Sequence, residues 1–311
     1  MTLRISLTLL LLLASWPATA GAYCRTHTCQ SDTSEEICEF VDGCPVGGVP
    51  IRWPSGCVTF AVERGGSPLA GLSARDVLEI AEQGFAFWTD SECHRGGSPP
   101  LTFIQLGEVG CHRPEYNCAA TDWNTNVILF QDDGWEHDTA ALAITGVTMN
   151  LDTGEILDAD IEVNTQGFDF VLPGELGGVD LRTVIMHEAG HVLGLDHPDT
   201  FGTVMYAWYD QTVLYSSLSD DDVAGICEIY GGKDSDPECD VPDLPDDTEC
   251  VGKSPCEPVS SAPGCGCRVV TVPASPTAAL WALLGVAGAA LFRRGAGSRL
   301  RLVRSRSCQK R

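Results

Sequence analysis

Residues 187–197 read His-Glu-Ala-Gly-His-Val-Leu-Gly-Leu-Asp-His, and no other stretch constrains this chain as tightly. Side chains four residues apart share one face of a helix. His187 and His191 therefore present two imidazoles to one point, with Glu188 beside the first. Gly194 permits the left-handed backbone that ends a helix. A chain that turns back there brings His197 to the same point. Three neutral imidazoles and one open position suit a catalytic zinc better than a closed structural site, and Glu188 is placed to hold a metal-bound water. Asp180 is the candidate N-cap of this helix, and the apolar run 181–186 behind it predicts that the helix is buried.

Eight residues after His197 comes Met205, within Thr203-Val204-Met205-Tyr206. The two stretches together resemble the metzincin clan of zinc endopeptidases, Met205 matching the Met-turn of that clan. Within the clan the chain is most similar to the matrixins. The run 191–197, the short spacing from His197 to Met205, and residues 218–231, which look like the matrixin closing helix, carry that likeness. Ala207 departs from it, because matrixins usually have proline there. Ala207 also stands where astacins and serralysins place a tyrosine, so their tyrosine switch is absent. The resemblance covers residues 47–232 and is strongest from about residue 180 onward.

What the resemblance implies is an α+β fold: a mixed, mostly parallel twisted sheet, an active-site helix and a C-terminal helix. It implies a zinc metalloendopeptidase whose metal ligands are His187, His191 and His197. Glu188 would act as general base on zinc-bound water. Met205 would support the site from below without ligating. Tyr206, Trp208 and Tyr209 would wall the pocket for the residue after the scissile bond. An edge strand near residues 144–149 would take substrate in extended form. Two other functions fit the same scaffold: a catalytically idle surface binding or adhesion protein, and a zinc hydrolase of cell-wall substrates. Retention of Glu188 argues against the first, and the matrixin-like closing helix against the second.

The chain begins like an exported protein. Arg4, the apolar run 7–13 and Ala18-Thr19-Ala20 form a signal-peptide pattern, with cleavage after Ala20 or Ala22. Fifteen cysteines fit an oxidising compartment, and twelve of them lie between Cys24 and Cys256, enough for six disulfides. Spacing does not define their pairing. No cysteine-switch motif is present in the cysteine-rich segment 23–46, which is expected to be disulfide-tied. Net charge is −24, and residues 293–311 carry eight positive charges and no negative ones, leaving −32 on the rest (−24 − 8). Such a chain repels nucleic acid. Asp132, Asp133, Asp138, Asp158 and Asp160 are candidate oxygen ligands for a structural calcium. His94, His112 and His137 sit alone in polar stretches and read as solvated. His137 beside Asp138 is the best of them for a second zinc.

Periodicity places strand material at 51–53 and 57–62, and a helix from Ser73 through Trp88. Further strands fall near 101–106 and at 126–131. Residues 144–150 and 156–164 flank the turn sequence Leu151-Asp152-Thr153-Gly154. The organisation expected is a signal peptide (1–22), the cysteine-rich segment (23–46), the peptidase domain (47–232), an acidic Cys/Pro-rich linker (233–272), an apolar membrane segment (273–292) and a basic tail (293–311). Gly264-Cys265-Gly266-Cys267, the apolar run and Arg293-Arg294 resemble the C-terminal sorting tail of exported myxobacterial proteins. That resemblance implies a cell-surface or membrane-anchored protein, or one secreted after C-terminal processing by sorting machinery. The remaining expected partner is a protein or peptide substrate, acted on by a monomer.

Overall fold

The computed structural model describes residues 23–30, 37–114, 116, 125–210, 215–231 and 239, and the backbone of 300–301 and 306–310. The expected signal peptide, most of the linker and the apolar segment 273–292 lie outside the described residues. Among the described residues no helix is long and apolar enough to cross a membrane.

The strands in chain order are β1 (Cys24–Arg25), β2 (Glu39–Val41), β3 (Cys44–Val46), β4 (Cys57–Glu63), β5 (Thr102–Val109), β6 (Val127–Phe130), β7 (Ala143–Asn150), β8 (Ile156–Val163), β9 (Phe170–Val171), β10 (Val179–Asp180), β11 (Leu195–Asp196), β12 (Trp208–Tyr209), β13 (Leu300–Arg301) and β14 (Arg306–Lys310). Three helices accompany them: α1 (Ala74–Thr89), α2 (Leu181–Val192) and α3 (Asp220–Tyr230). The central sheet runs β7-β8-β6-β4-β5. All neighbours in it are parallel except β7, which runs antiparallel to β8. This is the mixed, mostly parallel sheet expected from the sequence. Residues 51–53 do not form a strand; only Arg52 makes a bridge, to Glu155. On the outer side of β7, β14 adds a parallel strand, and β13 pairs antiparallel with β12.

Local chemistry explains the elements that carry the site. Ser73 caps α1, accepting from the Asp76 amide while the Asp76 carboxylate accepts from the Ser73 amide. The apolar period behind that cap buries Val77, Ile80, Ala81, Phe85 and Trp88. Asn150 makes the β7–β8 turn by accepting from the amides of Asp152 and Thr153. Helix α1 lies against α2 at Gly84, where an added Cβ would come within 3.1 Å of Ile185. The Trp88 indole N–H closes the contact on the Met186 carbonyl at 2.9 Å.

Four disulfides join described cysteines: Cys24–Cys44, Cys29–Cys38, Cys57–Cys239 and Cys93–Cys227. Two of them tie the segment 23–46 internally, as anticipated. The other two span 182 and 134 residues, closing large loops that most reduce the entropy gained on unfolding.

Candidate metal centre and substrate cleft

Helix α2 starts where Asp180 accepts from the Thr183 amide at 2.7 Å, the cap read from the sequence. The helix buries every residue it contains except Arg182. It ends at Leu193, and Gly194 follows at φ +91°. A side chain there would be strained and would also meet the Ile51 carbonyl at 2.7 Å. Beyond the break, β11 pairs antiparallel with β1. Thr26 donates to the Leu195 carbonyl, Gln30 donates to Asp196, and Asp196 in turn accepts from the His197 amide. The N-terminal segment therefore fastens the turn that delivers His197. Nothing local in the sequence signalled that role.

His187, His191 and His197 converge, their ring nitrogens all lying within 4.8 Å of one another. His197 Nε2 stands 3.0 Å from both His187 Nε2 and His191 Nε2. The other ring nitrogens of the two helix histidines face carbonyls: His187 Nδ1 lies 2.6 Å from the Val204 oxygen and His191 Nδ1 lies 2.9 Å from the Leu195 oxygen. A carbonyl only accepts, so each Nδ1 carries the proton and each Nε2 presents its lone pair inward. Burial, and then the nearby His191, hold His187 well below the ordinary histidine pKa, keeping it neutral. Lone pairs that converge this closely repel unless a cation lies between them. The donor set therefore fits a zinc ion, and these three residues would hold it.

Glu188 is fully buried beside the trio. Thr145 on β7 donates to its Oε2 at 2.6 Å, while Oε1 is enclosed with no hydrogen-bond partner. Burial lifts its pKa to about 8 in the absence of metal, against the opposing pull of Thr145. A neighbouring dication reverses that shift. A buried carboxylate oxygen without a partner, in the same helix turn as His187 and His191, is an arrangement that a metal and a water would complete.

Met205 lies under α2, so close that a Cβ on Gly190 would come within 2.2 Å of its sulfur. The turn carrying it is held by Asp222 of α3, which accepts from the Val204 amide at 2.9 Å and the Met205 amide at 3.3 Å. Asp222 also completes the Ser219 capping box of α3. A chain of contacts thus runs from the α3 cap through Val204 to His187. Sequence reasoning placed α3 but missed the role of Asp222. It also missed Trp53, whose indole donates to the Val192 carbonyl, and Tyr230, whose hydroxyl donates to the Leu193 carbonyl.

The three aromatic residues expected to wall a pocket differ in their surroundings. Tyr209 is buried, and its hydroxyl accepts from the Asp180 amide at 3.0 Å, tying β12 to the start of α2. Trp208 is 37% exposed. Tyr206 is half-buried and packs edge-on against Phe201.

One sequence expectation is corrected. His137 is not solvated: its side chain is buried, and Nε2 lies 3.2 Å from Glu162, which also accepts from Gln131. Asp138 turns to the Ala140 amide instead of sharing a ligand with His137. The five aspartates considered for calcium form no group of three potential ligand atoms within 4.8 Å of one another among the described residues. Asp132 is engaged by Ser67, Leu69 and Thr165, and Asp160 by the Val127 amide. Among the described residues, His187, His191 and His197 are the one group of three or more potential ligands.

Residues 115–231 match the family model described as Matrixin. The chain is 39% identical to macrophage metalloelastase of Oryctolagus cuniculus over 74 residues, 24% of this chain and 16% of that protein. It is 45% identical to matrilysin of Mus musculus over 63 residues, 20% of this chain and 24% of that protein. It is 26% identical to metalloendoproteinase 1-MMP of Arabidopsis thaliana over 183 residues, 58% of this chain and 44% of that protein. The chain thus spans less than half the length of these relatives. The matches and the three converging histidines support a matrixin-like domain over residues 115–231.

Proposed function

We propose that this chain is an exported zinc endopeptidase that hydrolyses peptide bonds in extracellular proteins. The observation that carries the reading is the convergence of three imidazole nitrogens, with a buried, half-partnered Glu188 next to His187 in the helix. Bound zinc supplies Lewis acidity for the scissile carbonyl and a lowered pKa for water. Glu188 takes the proton from the attacking water at Oε1 and hands it to the leaving amine. Thr145 holds the other oxygen, which leaves Oε1 without a partner and available for that proton. Burial keeps His187 a neutral donor, and the carbonyls facing Nδ1 of His187 and His191 leave each Nε2 to face inward.

An extended substrate would add as a strand to the outer edge of β7. That edge accepts a strand, since β14 lies on it over five residues. Trp208 and Tyr206 would shape the pocket after the scissile bond, with Tyr209 as its buried buttress. Export, and either anchoring through residues 273–292 or release by C-terminal processing, belong to the same proposal. They rest on the sequence patterns at the two ends.

Purified protein should contain one zinc per chain by elemental analysis and should cleave members of a peptide library. His191→Ala should lose the metal; full zinc retention in that variant would sink the ligand assignment. Glu188→Gln should keep zinc and fold while losing activity by at least about a thousandfold, because proton transfer and charge stabilisation fail together. A zinc-loaded wild type that cleaves no peptide would favour the idle binding scaffold instead.

A further inference from the structure

The charged group left unmatched by this account is Arg182, the one residue of α2 that is not buried. It makes no hydrogen bond or ion pair among the described residues. Its Nε is enclosed with no partner, so the two terminal amino groups are the donors free to meet a ligand. Arg182 lines an open groove of about 490 Å³ between the end of α1, the start of α2 and the start of α3. Phe87, Leu218 and Val223 give the groove apolar lining, while Gln83 and Asp90 stand at its α1 side. Asp90 does not pair with Arg182. The Cys93–Cys227 disulfide joins the segment after α1 to α3, so two walls of the groove are covalently braced.

A half-sheltered guanidinium without a counter-charge is costly, and it is relieved by a carboxylate that accepts in bidentate fashion. Physiological salt screens the chain's net charge of −24 beyond about 8 Å, so the acidic group in the groove that opposes a carboxylate is Asp90 on its α1 side. Arg182 precedes His187 by five residues, about 7.5 Å along the helix axis. The groove opens beside α1, whereas the histidines face the Met205 turn and His197. A ligand here would touch a protein substrate away from the cleaved bond.

We infer that this groove is an accessory binding site for a carboxylate-bearing polypeptide segment, with Arg182 taking the carboxylate and Phe87 and Leu218 the flanking apolar side chain. The identification of that segment as part of a protein substrate rests on the peptidase reading; the binding itself does not. The test therefore measures binding in the full chain carrying Glu188→Gln, so that cleavage plays no part. Two fluorescein-labelled peptides serve as probes, Ala-Leu-Glu-Asp-Leu-Ala and its neutral counterpart Ala-Leu-Gln-Asn-Leu-Ala, followed by fluorescence anisotropy.

The acidic probe should bind about tenfold more tightly than the neutral one, as a charge-assisted pair requires. Added Arg182→Gln should abolish the difference, and Arg182→Lys should restore only part of it. Unchanged zinc content and thermal midpoint in Arg182→Gln would show that the loss is not unfolding. Equal binding of both probes, or an acidic preference that survives Arg182→Gln, would overturn the inference. So would binding that appears only after residues 240–311 are removed, since the occupant would then be the chain's own acidic segment. If the probe binds as expected but wild type cleaves nothing, the groove stands and the peptidase reading fails.

Discussion

Residue 190 shows how tightly the metal helix is fitted. It lies between the two helix histidines, and a single added carbon there would fall 2.2 Å from the Met205 sulfur and 2.9 Å from the Trp88 ring. Met205 acts in this structure by filling space under α2. Gly190→Ala should therefore cost about 1–3 kcal/mol through overpacking. The thermal midpoint should fall in both the zinc-loaded and the metal-free protein; a fall in the zinc-loaded form alone would mean that the effect is on ligation. Glu188 supplies the electrostatic counterpart. Its folded pKa without metal, about 8, lies above the ordinary value of 4.5. A carboxyl raised in this way favours folding while protonated, and that advantage is lost as pH climbs from 4.5 through about 8. Metal-free wild type should accordingly lose stability over that window, and metal-free Glu188→Gln should lose less. Denaturant midpoints at pH 6 and pH 8 would check this, and equal slopes in the two proteins would refute it.

At the scale of elements, α3 matters through its first turn. Asp222 ties off the cap of α3 and the amides of Val204 and Met205, and the Val204 carbonyl then orients His187. Asp222→Ala leaves two buried amides without acceptors, at about 1–3 kcal/mol each. It should also quicken zinc loss to a chelator, because the His187 ring loses its fixed partner. Chelator competition followed by stopped-flow absorbance would read that rate; an unchanged rate would show that the turn is held without Asp222. What the sequence made legible was whatever is encoded over one or two turns of chain. The Asp180 and Ser73 caps, the apolar period of α1, the β7–β8 turn and the break at Gly194 all follow from near neighbours. The role of Asp222 was hidden because its partners lie 17 and 18 residues away and no period links them. His137 was misread for the same reason: its polar neighbours in sequence say nothing of Glu162, 25 residues on. Disulfide pairing and the fastening of β11 by β1 likewise depend on tertiary approach alone.

At the scale of the whole molecule, described segments early and late in the chain pair with the domain that carries the three histidines. At the N-terminal end, β1, Thr26 and Gln30 hold the His197 turn, and the Tyr23 amide donates to Asp221 at the start of α3. At the C-terminal end, Arg306–Lys310 covers the outer edge of β7, the edge on which an extended substrate would add. A tail paired there lies on the same side of any membrane as the domain. The positive-inside reading of residues 273–311 places that tail in the cytoplasm, so the two arrangements exclude each other in one chain. Protease protection and fractionation of intact cells distinguish them. A protected tail in the membrane fraction supports the anchor, and a tail accessible together with the domain supports the strand pairing. Deleting residues 273–311 tests what both arrangements share. It retains Cys239 and hence the Cys57–Cys239 bridge, and removes β13 and β14. The truncated protein should be released as a soluble, zinc-bound enzyme. If β14 occupies the cleft in the full chain, kcat/KM for a peptide substrate should rise on truncation, since an open edge admits substrate without displacing a strand. If the tail is an anchor, kcat/KM should stay level while the protein moves from membrane to medium. A truncated chain that fails to fold would show instead that residues 300–310 belong to the domain.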